Sequence, residues 1–259
     1  MLNFDRILII GDSFCANRES ESDWTAQLGK ILGVTVDGKG FGGQSWWACN
    51  NYLHKFKSAN ENNNKTLLIV LHTFSGRLPN DFDLPITPSV MRITPNTAND
   101  ELEFAEKENP GLRNLASEFY QSKLFSIDFY EWAHRSWIKE VDQDSGFLFT
   151  IHVPVFDNLE INVKNGIVLK PSAKLDCFRK LSDAEIDDVE WFGRDTRRNH
   201  FNQHNNIKLA EAFANIITQL DQDSRGIHYF NNLDQWDLKK DFISRISNLD
   251  KYRFKGSRK

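Results

Sequence analysis

Arg6-Ile7-Leu8-Ile9-Ile10-Gly11-Asp12-Ser13-Phe14 is an apolar, largely β-branched run that stops at a glycine and then presents a serine. Its apolar side chains do not alternate with polar ones, which is the pattern of a short strand covered on both faces in a parallel sheet. Gly11 ends the strand. Downstream, Ser22-Asp23 can cap a helix whose apolar stripe is Trp24, Leu28, Ile31 and Leu32, with Gly33 at its C-terminal stop. The start of the chain therefore reads as strand, loop carrying Ser13, then helix.

Working outward, Val34-Thr35-Val36 reads as a second strand, followed by the glycine-rich stretch Gly38-Lys39-Gly40-Phe41-Gly42-Gly43-Gln44-Ser45. That stretch lacks both the dinucleotide fingerprint and the Lys-Ser/Thr ending of a phosphate-binding loop. Trp46 to Phe56 is expected to be helical, with its aromatic residues in the core. Thr66 to Leu71 is the strongest buried-strand signal, and it runs directly into His72-Thr73-Phe74-Ser75-Gly76-Arg77. Polar residues just past a parallel strand lie at the carboxyl edge of the sheet, where open α/β folds bind ligands, so this loop belongs near Ser13.

From Leu78 to Gly111 the pattern breaks into prolines, asparagines and aspartates, the composition of a lid or of a surface loop. Leu112 to Val141 reads as a long amphipathic helix or helix pair, and Phe147 to Val153 as another buried strand. A second insertion is expected over 157–190, with a small hairpin at Asn165-Gly166 and a helix capped by Ser182 and Glu185. Asp195 to Asn202 leads into a helix with the stripe Leu209, Phe213, Ile216 or Ile217, and Leu220. The alternation predicts a three-layer α/β/α sandwich with a central parallel sheet. Residues 1–220 form one domain with insertions near 78–111 and 157–190, and 221–259 is expected to be a helical extension with Trp236, Phe242 and Ile246 on one face.

Composition narrows the function classes. With 259 residues, 40% hydrophobic and 26% charged, the chain can bury a full core and has an ordinary globular make-up. A net charge of -4 argues against wholesale nucleic-acid binding, and the basic C-terminal run reads as a solvated tail. Cys15, Cys49 and Cys177 are odd in number and irregularly spaced, which suggests neither disulfides nor a zinc site and fits a reducing compartment. No signal-like or membrane-spanning run stands out, so a cytoplasmic location is expected.

A serine hydroxyl becomes a nucleophile when a base takes its proton, and the reaction also needs donors aimed at the oxyanion that forms. Ser13, the glycine-rich stretch and His200 could supply those three parts. His72 and His152 have no matching Cys or carboxylate spacing and read as core or supporting residues rather than metal ligands. His204 lies four residues after His200, without the glutamate a zinc-protease helix would carry. Asp12 reads as the residue that fixes the turn.

Gly11-Asp12-Ser13-Phe14 after an apolar strand resembles the first signature of the SGNH, or GDSL-type, hydrolases, a family with a flavodoxin-like sandwich. The resemblance implies that Ser13 is the nucleophile and that its backbone NH is an oxyanion donor. Gly40-Phe41-Gly42-Gly43-Gln44-Ser45 resembles the second signature, which makes Gly43 the matching oxyanion donor. His200-Phe201-Asn202 followed by Leu209-Ala210-Glu211-Ala212 is similar to the last signature, which makes His200 the base. Two departures stand out. Where the family has Gly-x-Asn-Asp, this chain reads His72-Thr73-Phe74-Ser75, leaving the hydroxyl of Thr73 or Ser75 as the stand-in donor. Where the family has aspartate three residues before the histidine, this chain has Arg197, and Asp195 is the nearest carboxylate.

Thr73 with Arg77, and Arg197 with Asn199 and His200, resemble a variant of that pattern found among phage-encoded proteins. Arg77 could bind an acidic substrate through its planar fork, or pair with one of the chain's own carboxylates. The resemblance implies a serine esterase, without metal or cofactor, acting on an acyl ester or a saccharide O-acetyl group. The alternative is a catalytically weakened binding or structural protein of the same fold, such as a virion component or an assembly of identical copies.

Overall fold

The computed structural model describes residues 2–15, 23–41, 44–59, 63–79, 86, 110–122, 124–144, 146–156, 159–173, 178 and 203–230, with the backbone alone at 13, 113, 144 and 203. Six strands form one sheet: β1 (Arg6–Gly11), β2 (Thr35–Gly40), β3 (Thr66–His72), β4 (Phe149–Pro154), β5 (Ile167–Lys170) and β6 (Gly226–Tyr229). Their order is β2-β1-β3-β4-β5-β6 and every neighbouring pair is parallel. The first five follow the 2-1-3-4-5 order of flavodoxin-like doubly wound sheets.

Parallel neighbours need crossovers, and these carry the helices α1 (Trp24–Leu32), α2 (Trp46–Ala59), α3 (Leu112–Gln121), α4 (Ile127–Asp144) and α5 (Gln203–Ile217). The helices α1, α2, α4 and α5 cover both faces. Ile7 and Ile9 of β1, with Leu67, Ile69 and Leu71 of β3, pack under α1 and α5. Leu8 and Ile10, with Leu68 and Val70, face α2 and α4 on the other side. This is why β1 and β3 read as unbroken apolar runs: successive side chains point to opposite faces, and both faces are covered. The fold is a three-layer α/β/α sandwich.

On the first face Trp24 of α1 stacks on Phe213 of α5, with ring centroids 4.8 Å apart. Leu28, Leu209, Phe213, Ile217 and Leu220 are buried as the periodicity requires, whereas Ile31 is 48% exposed and does not belong to the buried stripe. Gly33 ends α1 in the left-handed region with φ 68, the conformation that favours glycine there.

Several expectations are corrected. β2 runs on to Gly40, so Gly38-Lys39-Gly40 is strand rather than loop. Of the two readings of 112–141, the helix pair is the one observed. Asn165-Gly166 makes no hairpin: it leads into β5, which pairs parallel with β4. Asn165 instead donates its backbone NH to the buried Asp142 carboxylate, and a Cβ on Gly166 would lie 2.2 Å from Thr150 Oγ1. Part of 157–190 is thus a strand of the central sheet, and 221–259 is not wholly helical, because Gly226–Tyr229 is the sheet's sixth strand. The expected helix at Ser182, the cap at Ser22 and the apolar face with Trp236, Phe242 and Ile246 lie outside the described residues. No helix among the described residues is long and apolar enough to cross a membrane.

Candidate active site

The chain passes from β1 to β2 on one side and returns to β3 on the other, so the topological switch point lies between the carboxyl ends of β1 and β3. What the sequence puts there is Gly11-Asp12-Ser13 from β1, Phe41 and Gln44 after β2, and Thr73 to Arg77 after β3. Gly11 pairs with Gly40 on one side and Leu71 on the other. Its φ is +150, and an added Cβ would lie 2.2 Å from the Leu71 carbonyl oxygen, so only glycine lets the chain leave the sheet here.

Ser13 opens a single 3-10 turn, Ser13–Cys15, closed by a 3.0 Å bond from the Cys15 NH to the Asp12 carbonyl. The Cys15 thiol donates to the same carbonyl, and the Trp24 indole NH donates to Phe14 O at 2.6 Å. The turn is thereby clamped to β1 behind it and to α1 beside it. Cys15 and Cys49 are buried free thiols, and burial holds both in the neutral form by raising their pKa.

Asp12 does more than shape the turn. Its carboxylate is 3% exposed, accepts a 2.6 Å bond from Arg77 Nη1 and a 3.1 Å bond from the Thr73 hydroxyl. Arg77 Nη1 also reaches Gln44 O at 3.3 Å and the Thr73 hydroxyl, while the guanidinium lies over the Phe156 ring at 5.3 Å. Asp12, Thr73 and Arg77 together therefore tie the ends of β1 and β3 to Gln44 after β2. A threonine has a single hydroxyl proton, and its acceptors here are Asp12 at 3.1 Å and Gln44 O at 3.4 Å; to serve an oxyanion, Thr73 would have to turn away. Arg77 likewise holds the protein's own carboxylate, with its Nε buried and without a hydrogen-bond partner among the described residues. The side chain of Ser13, and Gly43, Asp195, Arg197 and His200, lie outside the described residues.

A second polar group, unforeseen as a unit, lies beneath this cluster. Ser75 Oγ is 3.0 Å from His134 Nδ1, His134 Nε2 is 3.2 Å from His72 Nδ1, and His72 Nε2 is 2.9 Å from His152 Nδ1. His72 and His152 sit on the α4 side of the sheet, where the diagonal register of β3 and β4 brings them together. His134 reaches them from α4, between Trp46 and Trp137. Burial depresses all three, reinforced at His72 by the other two histidines and at His134 by Arg135 and His152, and opposed at His152 by Asp142: His134 falls to about 3, His152 to about 4, and His72 well below its ordinary value. Ser75 and His134 have the spacing of a nucleophile and its base, but both are fully buried, which closes them to substrate.

The fold and this cluster define a doubly wound α/β protein with a polar network at its switch point. No family model and no curated protein matches the chain. Among solved structures, a mutant of an acetyl-xylooligosaccharide esterase from Geobacillus Stearmophilus aligns over 100% of this chain and 99% of its own, with 13% identity and a TM-score of 0.29. A likeness at that level carries no argument.

Proposed function

We propose that the protein is a serine-dependent ester hydrolase of the SGNH type, with Ser13 as its nucleophile. The observation that carries this reading is the position of Ser13: it opens a clamped turn at the carboxyl end of β1, at the switch point of the sheet, next to a buried carboxylate bound by Thr73 and Arg77. In the proposed reaction, Ser13 Oγ adds to the ester carbonyl carbon as its proton passes to His200. The NH groups of Ser13 and Gly43 stabilise the oxyanion, and Asp195 orients the imidazole. The alkoxide departs with the proton from His200. A water, deprotonated by the same histidine, then cleaves the acyl-enzyme to carboxylic acid and restores Ser13. A saccharide O-acetyl group is the substrate class we favour, because that family includes such esterases.

Short-chain p-nitrophenyl esters test the assignment. Wild type is expected to hydrolyse p-nitrophenyl acetate and to be labelled by a fluorophosphonate, whereas Ser13→Ala falls to background and is not labelled. Equal rates in both proteins would overturn the enzyme reading. A second reading is a binding protein on the same fold, favoured by one observation: the Thr73 hydroxyl, at the loop where the family supplies an asparagine donor, is engaged by Asp12. Losing one oxyanion donor costs on the order of 100-fold or more in rate. A Thr73→Asn variant separates the two, since it raises the rate of a weakened enzyme and leaves a non-enzyme silent.

A further inference from the structure

We propose that Ser75, His134, His72 and His152 form a single one-way chain of donated protons, with every ring protonated on Nε2, that positions the Thr73 to Arg77 turn against Asp12. The inference stands whatever reaction the site performs.

A neutral imidazole has one donor and one acceptor nitrogen. His72 gives Nδ1 to His134 and Nε2 to His152, so it must accept on one side and donate on the other. With the links Oγ to Nδ1, Nε2 to Nδ1 and Nε2 to Nδ1, only two orderings satisfy all three bonds. Either every ring carries its proton on Nε2 and the Ser75 hydroxyl donates, or every ring carries it on Nδ1 and the hydroxyl accepts. A mixed set puts two lone pairs or two protons face to face.

The ends of the chain decide between the two. Ser75 Oγ has no other hydrogen-bond partner among the described residues, so the Nδ1 ordering strands a buried hydroxyl proton as well as the His152 Nε2 lone pair. The Nε2 ordering strands one group, the His152 Nε2–H, which has no partner among the described residues. Asp142, the buried carboxylate that acts on His152, favours positive charge on that ring. A buried polar group without a partner is costly, and one orphan is cheaper than two. The other charged group acting on the chain is Arg135, on the same helix; α2 contributes the neutral Trp46 indole.

The same geometry argues against a metal. His72 offers opposite ring nitrogens to its two neighbours, so one ion cannot be held by all three rings. The consequence reaches the switch point through Ser75. It sits in the turn closed by the bond from the Arg77 NH to Phe74 O, between the Thr73 hydroxyl and the Arg77 guanidinium that hold Asp12. Ser75 and His134 are positioning residues in this scheme.

Long-range nitrogen–proton NMR on histidine-labelled, full-length protein at neutral pH reads the ordering. The expected result is the Nε2–H tautomer for all three buried rings and a through-bond coupling from the Ser75 hydroxyl proton to His134 Nδ1. Any of the three rings found as Nδ1–H overturns the ordering. Ser75→Ala then tests positioning: the backbone amides of Thr73 and Arg77 are expected to shift while that of Leu8 stays in place. Unmoved Thr73 and Arg77 amides would sink the positioning role. Should Ser75→Ala fail to fold, Ser75→Cys, which keeps a donor, is expected to restore the amide positions, and its failure to do so would count against the chain.

Discussion

The Asp12 carboxylate and the Arg77 guanidinium are 3% and 11% exposed, so each has left most of its water behind. A buried pair of this kind adds little net stability relative to an apolar pair, but removing one partner strands a charge, typically at about 3–5 kcal/mol. Arg77→Met is therefore expected to lower the urea-unfolding free energy by that order. Asp12→Asn combined with Arg77→Met should recover part of the loss, and strictly additive losses would show that the two do not interact. Gly11 is a second point of strain control. With a Cβ at 2.2 Å from the Leu71 oxygen, Gly11→Ala is expected to cost at least about 1–3 kcal/mol in the same measurement. The thiols make a third expectation. Burial keeps Cys15 and Cys49 protonated at neutral pH, so the folded protein should leave both unmodified by iodoacetamide while the urea-unfolded chain is alkylated at each. Modification of either in the folded state would contradict the packing of the Ser13 turn.

At the scale of elements, the stretches that were legible are those whose burial is written locally. β1 and β3 have apolar residues on both faces, β4 has them on one, at Phe149, Ile151 and Val153, and α5 repeats its apolar residues at helical spacing. β2 was cut short because Asp37, Lys39 and two glycines carry no apolar signal; pairing with β1 makes them strand. β5 was hidden by Asn165-Gly166, whose turn chemistry suggests a hairpin, whereas here the asparagine serves Asp142. The Asp12, Thr73 and Arg77 cluster and the histidine chain depend on which strands are neighbours and in what register. Neither fact is present in local spacing: alternation within β3 puts His72 on the Val70 face, but only the register of β4 puts His152 there too. Packing also sorts residues that periodicity treats alike. Phe213→Ala, which removes a ring stacked on Trp24, should cost about 3–5 kcal/mol, while Ile31→Ala, at a site 48% exposed, should stay within about 0.5 kcal/mol. Thermal or urea unfolding of the two variants side by side checks it, and equal losses would mean that α1 does not present the face described.

For the whole molecule, the histidine chain makes stability a function of pH with a definite sign. His134 and His152 are held neutral in the fold, at about 3 and about 4 against an ordinary 6.5, and His72 is lowered too. The unfolded chain therefore binds protons that the folded chain refuses, and acid favours unfolding. The stability these rings protect is fully present above 6.5 and is lost as the pH falls from there through the folded values near 4 and 3. Each ring contributes a slope of up to about 1.4 kcal/mol per pH unit within that window. Carboxylates titrate at its lower end, so the contribution of the chain is isolated by difference. Across the upper part of the window, His152→Gln is expected to flatten the dependence of the urea midpoint by about one proton relative to wild type, whatever it does to stability at neutral pH. Parallel curves for the two proteins would mean that His152 is protonated as readily folded as unfolded, which a ring sealed between β3 and α4 cannot be.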